Sequence, residues 1–212
     1  MSRPILYHCR DARSFRCLWA AEELGLDYEL VTMPFPPRFH VPAYKEVNPL
    51  GTIPCWVDGD VKLTESAAIC HYLARGSALE VTPDEAAWPD WLNWLHRSDA
   101  TLTFPLAIML RYSVFPKAED RKLDVAEDYK LFFLGRARSI DAALADGREW
   151  LTAGRFTVAD ICIGYAVMLA LTLGLKVELG PHTLAWWERL SARRGFKAAK
   201  AKQGHPDPDS LF

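Results

Sequence analysis

At 212 residues the chain is long enough for one large domain or two modest ones, and it can bury a substantial core. Half of its residues are hydrophobic and a quarter are charged, as in an ordinary soluble globular protein. The formal net charge of -2 argues against nucleic acid or an anionic membrane as the main partner.

The opening Met1-Ser2-Arg3-Pro4 leads into only a short apolar run, which does not read as a secretory signal. The longest uncharged apolar stretch, Ile161 to Leu175, is short for a membrane span and fits a buried core helix, so a cytoplasmic protein is expected. The five cysteines (Cys9, Cys17, Cys55, Cys70, Cys162) are scattered, odd in number and contain no C-x-x-C pair. That pattern disfavours a disulfide scaffold, a structural zinc site and a dithiol redox centre, and no metal is expected. Each reads first as a small buried hydrophobe.

In chain order, Pro4 to Cys9 reads as a strand, followed by the short loop Arg10 to Arg13. A helix runs from about Ser14 to Leu24, with Phe15, Leu18 and Trp19 on one face and Gly25 as its stop. Tyr28 to Met33 is a second strand. Pro34 to Pro42 holds four prolines in nine positions, which predicts no regular structure. A short helical piece at Ala43 to Val47 leads into an Asn-Pro-Leu-Gly turn. Cys55-Trp56-Val57 and Val61-Lys62-Leu63 flank Asp58-Gly59, a hairpin signal with positive φ at both central residues, and Ser66 can cap a third helix to about Arg75.

Strand, helix, strand, helix and antiparallel hairpin together predict a mixed four-stranded sheet covered by helices, similar to a thioredoxin-like α/β domain over residues 1–77. Gly76 to Pro89 is the connector, and residues 86–212 read as all-helical. Trp88, Trp91 and Trp94 form a packing stripe; helices follow at Leu102 to Tyr112, Val125 to Ala145, Val158 to Leu175 and Thr183 to Ala201. Thr157 and Asp160 have capping-box spacing, with Phe156 and Ile161 placed as the hydrophobic staple, and losing the Thr157 cap should cost about 1 kcal/mol.

Four segments carry a family resemblance: Arg13-Ser14-Phe15-Arg16 with Trp19 and Glu22-Glu23-Leu24-Gly25; Asn48-Pro49-Leu50-Gly51-Thr52-Ile53-Pro54; Leu63-Thr64-Glu65-Ser66-Ala67-Ala68-Ile69; and Phe156-Thr157-Val158-Ala159-Asp160-Ile161. In that order and spacing the chain resembles a bacterial cytosolic glutathione transferase along nearly its whole length. The resemblance implies a first domain that binds glutathione as co-substrate, a helical second domain that shapes the electrophile site, and a homodimer. The implied reaction joins the glutathione thiolate to small hydrophobic electrophiles. Alternatives are glutathione-dependent isomerisation, dehalogenation or reduction, and a non-catalytic association module of the same fold.

The resemblance also implies a cis bond before Pro54, since X-Pro bonds are cis in only about 5–6% of cases. With that bond cis, the main-chain N–H and C=O of Ile53 face outward and can pair with the cysteinyl part of glutathione like an added strand. Glu65-Ser66 lies at a helix start, where free N–H groups and the macrodipole favour an anion. Ser66 should take the γ-glutamyl carboxylate and Glu65 the ammonium. His40 or Lys45 can meet the glycyl carboxylate.

Catalysis requires a thiol of pKa near 8.5 to ionise at neutral pH, a shift of roughly two units or about 2.7 kcal/mol. A helix N-terminus supplies up to ~2 kcal/mol, and a hydrogen bond to the charged sulfur about 1.5–3 kcal/mol. Ser14 is the first choice as donor. Tyr7 is the rival, Arg13 could act by charge alone, and Cys9 ranks last; many bacterial relatives carry Ser or Asn where this chain has Ala12. Phe104, Met109, Tyr112 and Phe115 are the candidates for the electrophile site, with Pro105 kinking their helix near it.

Overall fold

The computed structural model describes residues 3–204. They form two compact units: the chain up to Glu80 together with the segment from Ser191 onwards, and Val81–Leu190.

The first unit is built on a four-stranded mixed sheet of β1 (Ile5–His8), β2 (Glu29–Thr32), β3 (Cys55–Asp58) and β4 (Val61–Leu63), in the order β2-β1-β3-β4. β1 runs parallel to β2, with Leu6 opposite Leu30, and antiparallel to β3, with Leu6 opposite Trp56. Along β1 the buried residues are Leu6 and His8, and Ile5 and Tyr7 alternate with them on the other face. The helices are α1 (Phe15–Leu24), the single turns α2 (Pro37–His40) and α3 (Tyr44–Val47), α4 (Ser66–Ala74) and, from the far end of the chain, α10 (Arg194–Lys202).

Two local readings change. The proline-rich segment contains α2, because Pro37 at its first position has a preset φ and lacks only an N–H that a helix start leaves unused. The hairpin turn is Gly59-Asp60, one residue later than its sequence signal, since Asp58 pairs with Val61. Only Gly59 takes positive φ, so a single glycine at the first central position suffices.

The largest departure concerns the last helix, which sequence periodicity assigns to the second domain. The expected Thr183 to Ala201 helix is two helices, α9 (Pro181–Ala192) and α10, separated by an extended Arg193. Arg193 gives both Nε and Nη2 to the Glu23 carboxylate at 2.9 Å each, and that pairing with α1 fixes the break. Phe196 then sets its ring edge-on to Phe15 and Trp19, at centroid distances of 5.6 and 5.0 Å. Covered in this way, α1 is buried continuously from Phe15 to Ala21. An amphipathic helix packed on only one side would leave part of that run exposed.

In the second unit, α5 (Trp88–Arg97), a π-helical turn (Ser98–Thr103) and α6 (Phe104–Ser113) follow without interruption. Pro105 has no N–H for the carbonyl four residues back, and the wider turn occupies the place where that carbonyl would meet its ring. The Thr103 hydroxyl donates to the Ser98 carbonyl at 2.7 Å and closes the turn. α7 (Leu123–Leu144) packs on α6, and α8 (Val158–Thr172) packs against α5 and the π-helical turn, with every residue from Val158 to Ala170 buried.

The capping box at Thr157 and Asp160 is present. Thr157 N–H donates to Asp160 Oδ2 at 2.9 Å, and Ala159 N–H to the Thr157 hydroxyl at 3.2 Å. Asp160 goes beyond a cap. Its other oxygen accepts Leu151 N–H at 3.0 Å and the Trp186 indole N–H at 3.3 Å, so one fully buried carboxylate joins a loop and two helices.

Candidate active site

The strand registers bring four chain segments to one end of the sheet. Tyr7 lies opposite Cys55, so the exit of β1 and the entry to β3 are adjacent. Trp56 lies opposite Leu63, so the β3–β4 hairpin returns Thr64-Glu65 to that same end. The loop Arg10–Ser14, the start of α1, the Ile53-Pro54 dipeptide and the start of α4 therefore share one rim of the first unit.

The Ile53-Pro54 bond is cis, as is Phe35-Pro36. The approach to it is tied down from two sides. Tyr44 Oη and Asn48 Nδ2 both donate to the Thr52 carbonyl at 2.8 Å, and Asn48 Oδ1 accepts the Leu50 N–H at 3.1 Å. Gly51 has φ +61°, and a Cβ there would come within 2.8 Å of Arg38 Cβ, so no other residue fits without displacing the backbone. Ile53 itself is half-buried, and among the described residues its main-chain groups make no hydrogen bond. A strand-like edge is left open there, held by neighbours that are fully satisfied. Gly51→Ala is expected to lower glutathione affinity at least tenfold and stability by about 1–2 kcal/mol, read by calorimetry and thermal melting. Unchanged affinity would show that this loop does not set the edge.

At the start of α4, Glu65 occupies the cap position and Ser66 the first helical position, and neither side chain caps the helix. The expectation that Ser66 is the cap is corrected for a physical reason. Its hydroxyl accepts a hydrogen bond from Arg16 Nη1 at 2.9 Å, which leaves the hydroxyl hydrogen available to donate. Ser66 is 3% exposed and Arg16 fully buried. Behind the α4 N-terminus thus stands a buried guanidinium, whose charge adds to the helix dipole in favour of an anion. Glu65 is exposed, and among the described residues its carboxylate has no partner. The sequence reading gives Arg16 no role; its signal there is a lone cation within the apolar run Phe15 to Ala21.

His40 and Lys45, the candidates for the glycyl carboxylate, are both exposed. The structure places the Lys45 side chain over Gly51, with Cε 3.6 Å from where a Cβ would stand, and gives His40 no such neighbour.

The candidates for the thiolate donor differ sharply. Ser14 has no accessible surface, and its hydroxyl is used twice on one residue: it donates to the Cys9 carbonyl at 3.1 Å and accepts the Cys9 N–H at 3.2 Å. It latches the end of β1 to the start of α1, and its one hydrogen is committed. Ser14→Ala should cost about 1–2 kcal/mol of stability yet leave the thiolate pKa of bound glutathione unchanged, which ultraviolet absorbance of the thiolate would check. Tyr7 is half-buried, with its ring 5.4 Å from that of Tyr44, in the same apolar cluster that Ile53 packs against. Burial raises its pKa, so the phenol keeps its proton. Arg13 is half-buried on the rim loop. Cys9 is fully buried, and burial pushes its thiol up to about 12, which leaves it inert at neutral pH.

In the second unit, Phe104 (48% exposed) and Phe115 (49% exposed) are open to solvent, and Met109 and Tyr112 are half-buried. Phe104 and Tyr112 share a face of α6 by helical spacing, Phe115 lies just past its end, and none of the four belongs to the core. Among the described residues no group of three or more His, Cys, Asp and Glu could hold a metal ion. No helix among them is long and apolar enough to cross a membrane.

A thioredoxin-like sheet with a cis-proline entry to its third strand, followed by an all-helical unit, defines the glutathione transferase fold. Residues 3–75 match the family described as glutathione S-transferase, N-terminal domain. The chain is 30% identical over 204 residues to glutathione S-transferase 3 of Zea mays, covering 89% of this chain and 88% of that protein. It is 31% identical over 188 residues to the probable glutathione S-transferase GSTF2 of Oryza sativa subsp. japonica, covering 84% and 86%. Among solved structures, the theta class glutathione S-transferase of Xanthomonas axonopodis pv. citri, with glutathione bound, matches with a TM-score of 0.77 at 26% identity, covering 95% of this chain and 98% of that one. A glutathione transferase of Methylococcus capsulatus str. Bath matches in fold with a TM-score of 0.84 at 24% identity, covering 95% and 98%. The chain belongs to the glutathione transferase family, and it is an enzyme of that kind.

Proposed function

We propose that this enzyme binds glutathione along Ile53 and the start of α4, and transfers its thiolate to a small hydrophobic electrophile. The observation that carries this reading is the open main chain of Ile53 beside the cis bond to Pro54, on the same rim as Ser66 and its buried partner Arg16. The cysteinyl part pairs with Ile53 as an added strand. The γ-glutamyl carboxylate accepts from the Ser66 hydroxyl and the α4 N-terminus, Glu65 takes the ammonium, and Lys45, ahead of His40, meets the glycyl carboxylate.

The sulfur then lies toward the start of α1. With Ser14 latched to Cys9 and Ala12 offering no donor, the thiolate is stabilised by the α1 N-terminus and the charge of Arg13, with the Tyr7 phenol as the available hydroxyl. In the second unit, Phe104, Tyr112 and Phe115, with Met109, are the apolar candidates for the electrophile. Five cysteines, none in a disulfide among the described residues, suit the reducing cytoplasm, and the working form is a homodimer, as the family resemblance implies. Because all five are buried, disulfide chemistry through a protein thiol has no support, and conjugation is preferred over reduction.

The test is retention on immobilised glutathione together with turnover of an aryl halide acceptor. Binding with turnover supports the proposal. Binding without turnover would point to the association module, and failure to bind would overturn the reading.

A further inference from the structure

The rim loop Arg10–Arg13 is held in place by a residue from the opposite end of the chain. Asp11 takes a left-handed φ of 50°, unusual for a residue other than glycine, so something must hold it there. Gln203, just past α10 and only 5% exposed, spends its whole amide on that task. Its Oε1 accepts the Asp11 N–H at 3.2 Å and the His8 Nε2–H at 3.1 Å, and its Nε2 donates to Asp11 Oδ1 at 2.7 Å. Arg10 Nη2 reaches the Gln203 main-chain carbonyl at 3.3 Å, and Lys200, one turn earlier on α10, pairs with Asp11 Oδ1 at 2.5 Å.

We propose that Gln203 is a positioning residue for the reaction: by clasping His8 and Asp11 it fixes the loop that carries Arg13 into the start of α1, and thereby sets the thiolate field. The inference rests on the proposed glutathione site. Three features support it. The clasp joins both ends of the segment concerned, the last residue of β1 and the loop before α1. His8 is neutral at working pH, its pKa lowered to about 4 by burial, so the contact is a hydrogen bond that does not switch near neutrality. The remainder of α10 is anchored separately, through Phe196 and the Arg193–Glu23 pair, so Gln203 is not needed merely to dock the helix.

The test compares Gln203→Ala with Arg193→Ala, which loosens the same helix away from the loop. The readouts are the melting temperature, the pH profile of kcat/KM and the thiolate absorbance of bound glutathione. Both variants should melt earlier. Only Gln203→Ala should raise the bound thiol pKa, by about one unit, and lower kcat/KM at neutral pH about threefold with no more than about a threefold change in glutathione affinity. If Gln203→Ala does not fold, Gln203→Asn, which withdraws the amide by one methylene, should shift the profile in the same direction. An unshifted thiol pKa in the folded variant, or equal shifts in both variants, overturns the inference alone. A wild-type chain that binds no glutathione overturns the proposed site as well.

Discussion

Ser66→Ala is expected to weaken glutathione binding about 100-fold, the largest loss of any single change on the rim. The ligand carboxylate loses a hydroxyl donor, a charge-assisted hydrogen bond of about 1.5–3 kcal/mol. The Arg16 guanidinium loses the acceptor it holds at 2.9 Å with or without ligand, so that cost falls on stability and cancels in Kd. A loss of roughly 3 kcal/mol corresponds to about two decades in Kd. Isothermal calorimetry measures the affinity, and a melting curve confirms that the variant is folded. An affinity within threefold of wild type would remove Ser66 from the binding site. Ser66→Thr, which keeps the hydroxyl, should recover most of the loss.

Asp160→Ala should have the largest effect on stability, about 4 kcal/mol or more. It strands Thr157 N–H, Leu151 N–H and the Trp186 indole N–H inside the second unit, and each buried donor left unpaired costs about 1–3 kcal/mol. Against a total of roughly 5–15 kcal/mol, such a loss leaves a marginal protein. Urea unfolding would reveal it; a loss under 1 kcal/mol would mean the hub is dispensable. The same residue predicts a pH dependence. Burial raises its carboxyl from 3.8 to about 6. Between those values the native state retains a proton that the unfolded chain releases. Stability contributed in this way is full below pH 3.8, declines as pH rises through the window, and is gone above about 6. Asp160→Asn should flatten this slope; an unchanged slope would assign it to other groups.

Residues whose role depends on near neighbours were legible in the sequence. Thr157 and Asp160 announce their cap by spacing, the alternation in β1 and the Asp-Gly turn signal fix a hairpin to within one residue, and α8 shows its central place by being apolar all round. Asn48 to Pro54 and Glu65-Ser66 were legible only through family resemblance, because a loop that presents its main chain leaves no periodic pattern. Ser14 misled for a related reason: a serine at a helix start reads as a cap or a catalytic donor, and nothing local tells that its hydroxyl turns back to Cys9.

The sequence by itself determined the two-part architecture, the helical core around α8 and the segments proposed to meet glutathione, since each depends on periodicity, turn chemistry or an ordered string of motifs. Only the tertiary structure decided which hydroxyl and which cation meet in the proposed site. Arg16 meets Ser66 across 50 residues, and Gln203 reaches Asp11 across 192. Hydrogen-bond partners so far apart are chosen by how α1 packs against α4 and α10, and a buried polar group accepts whichever partner that packing delivers.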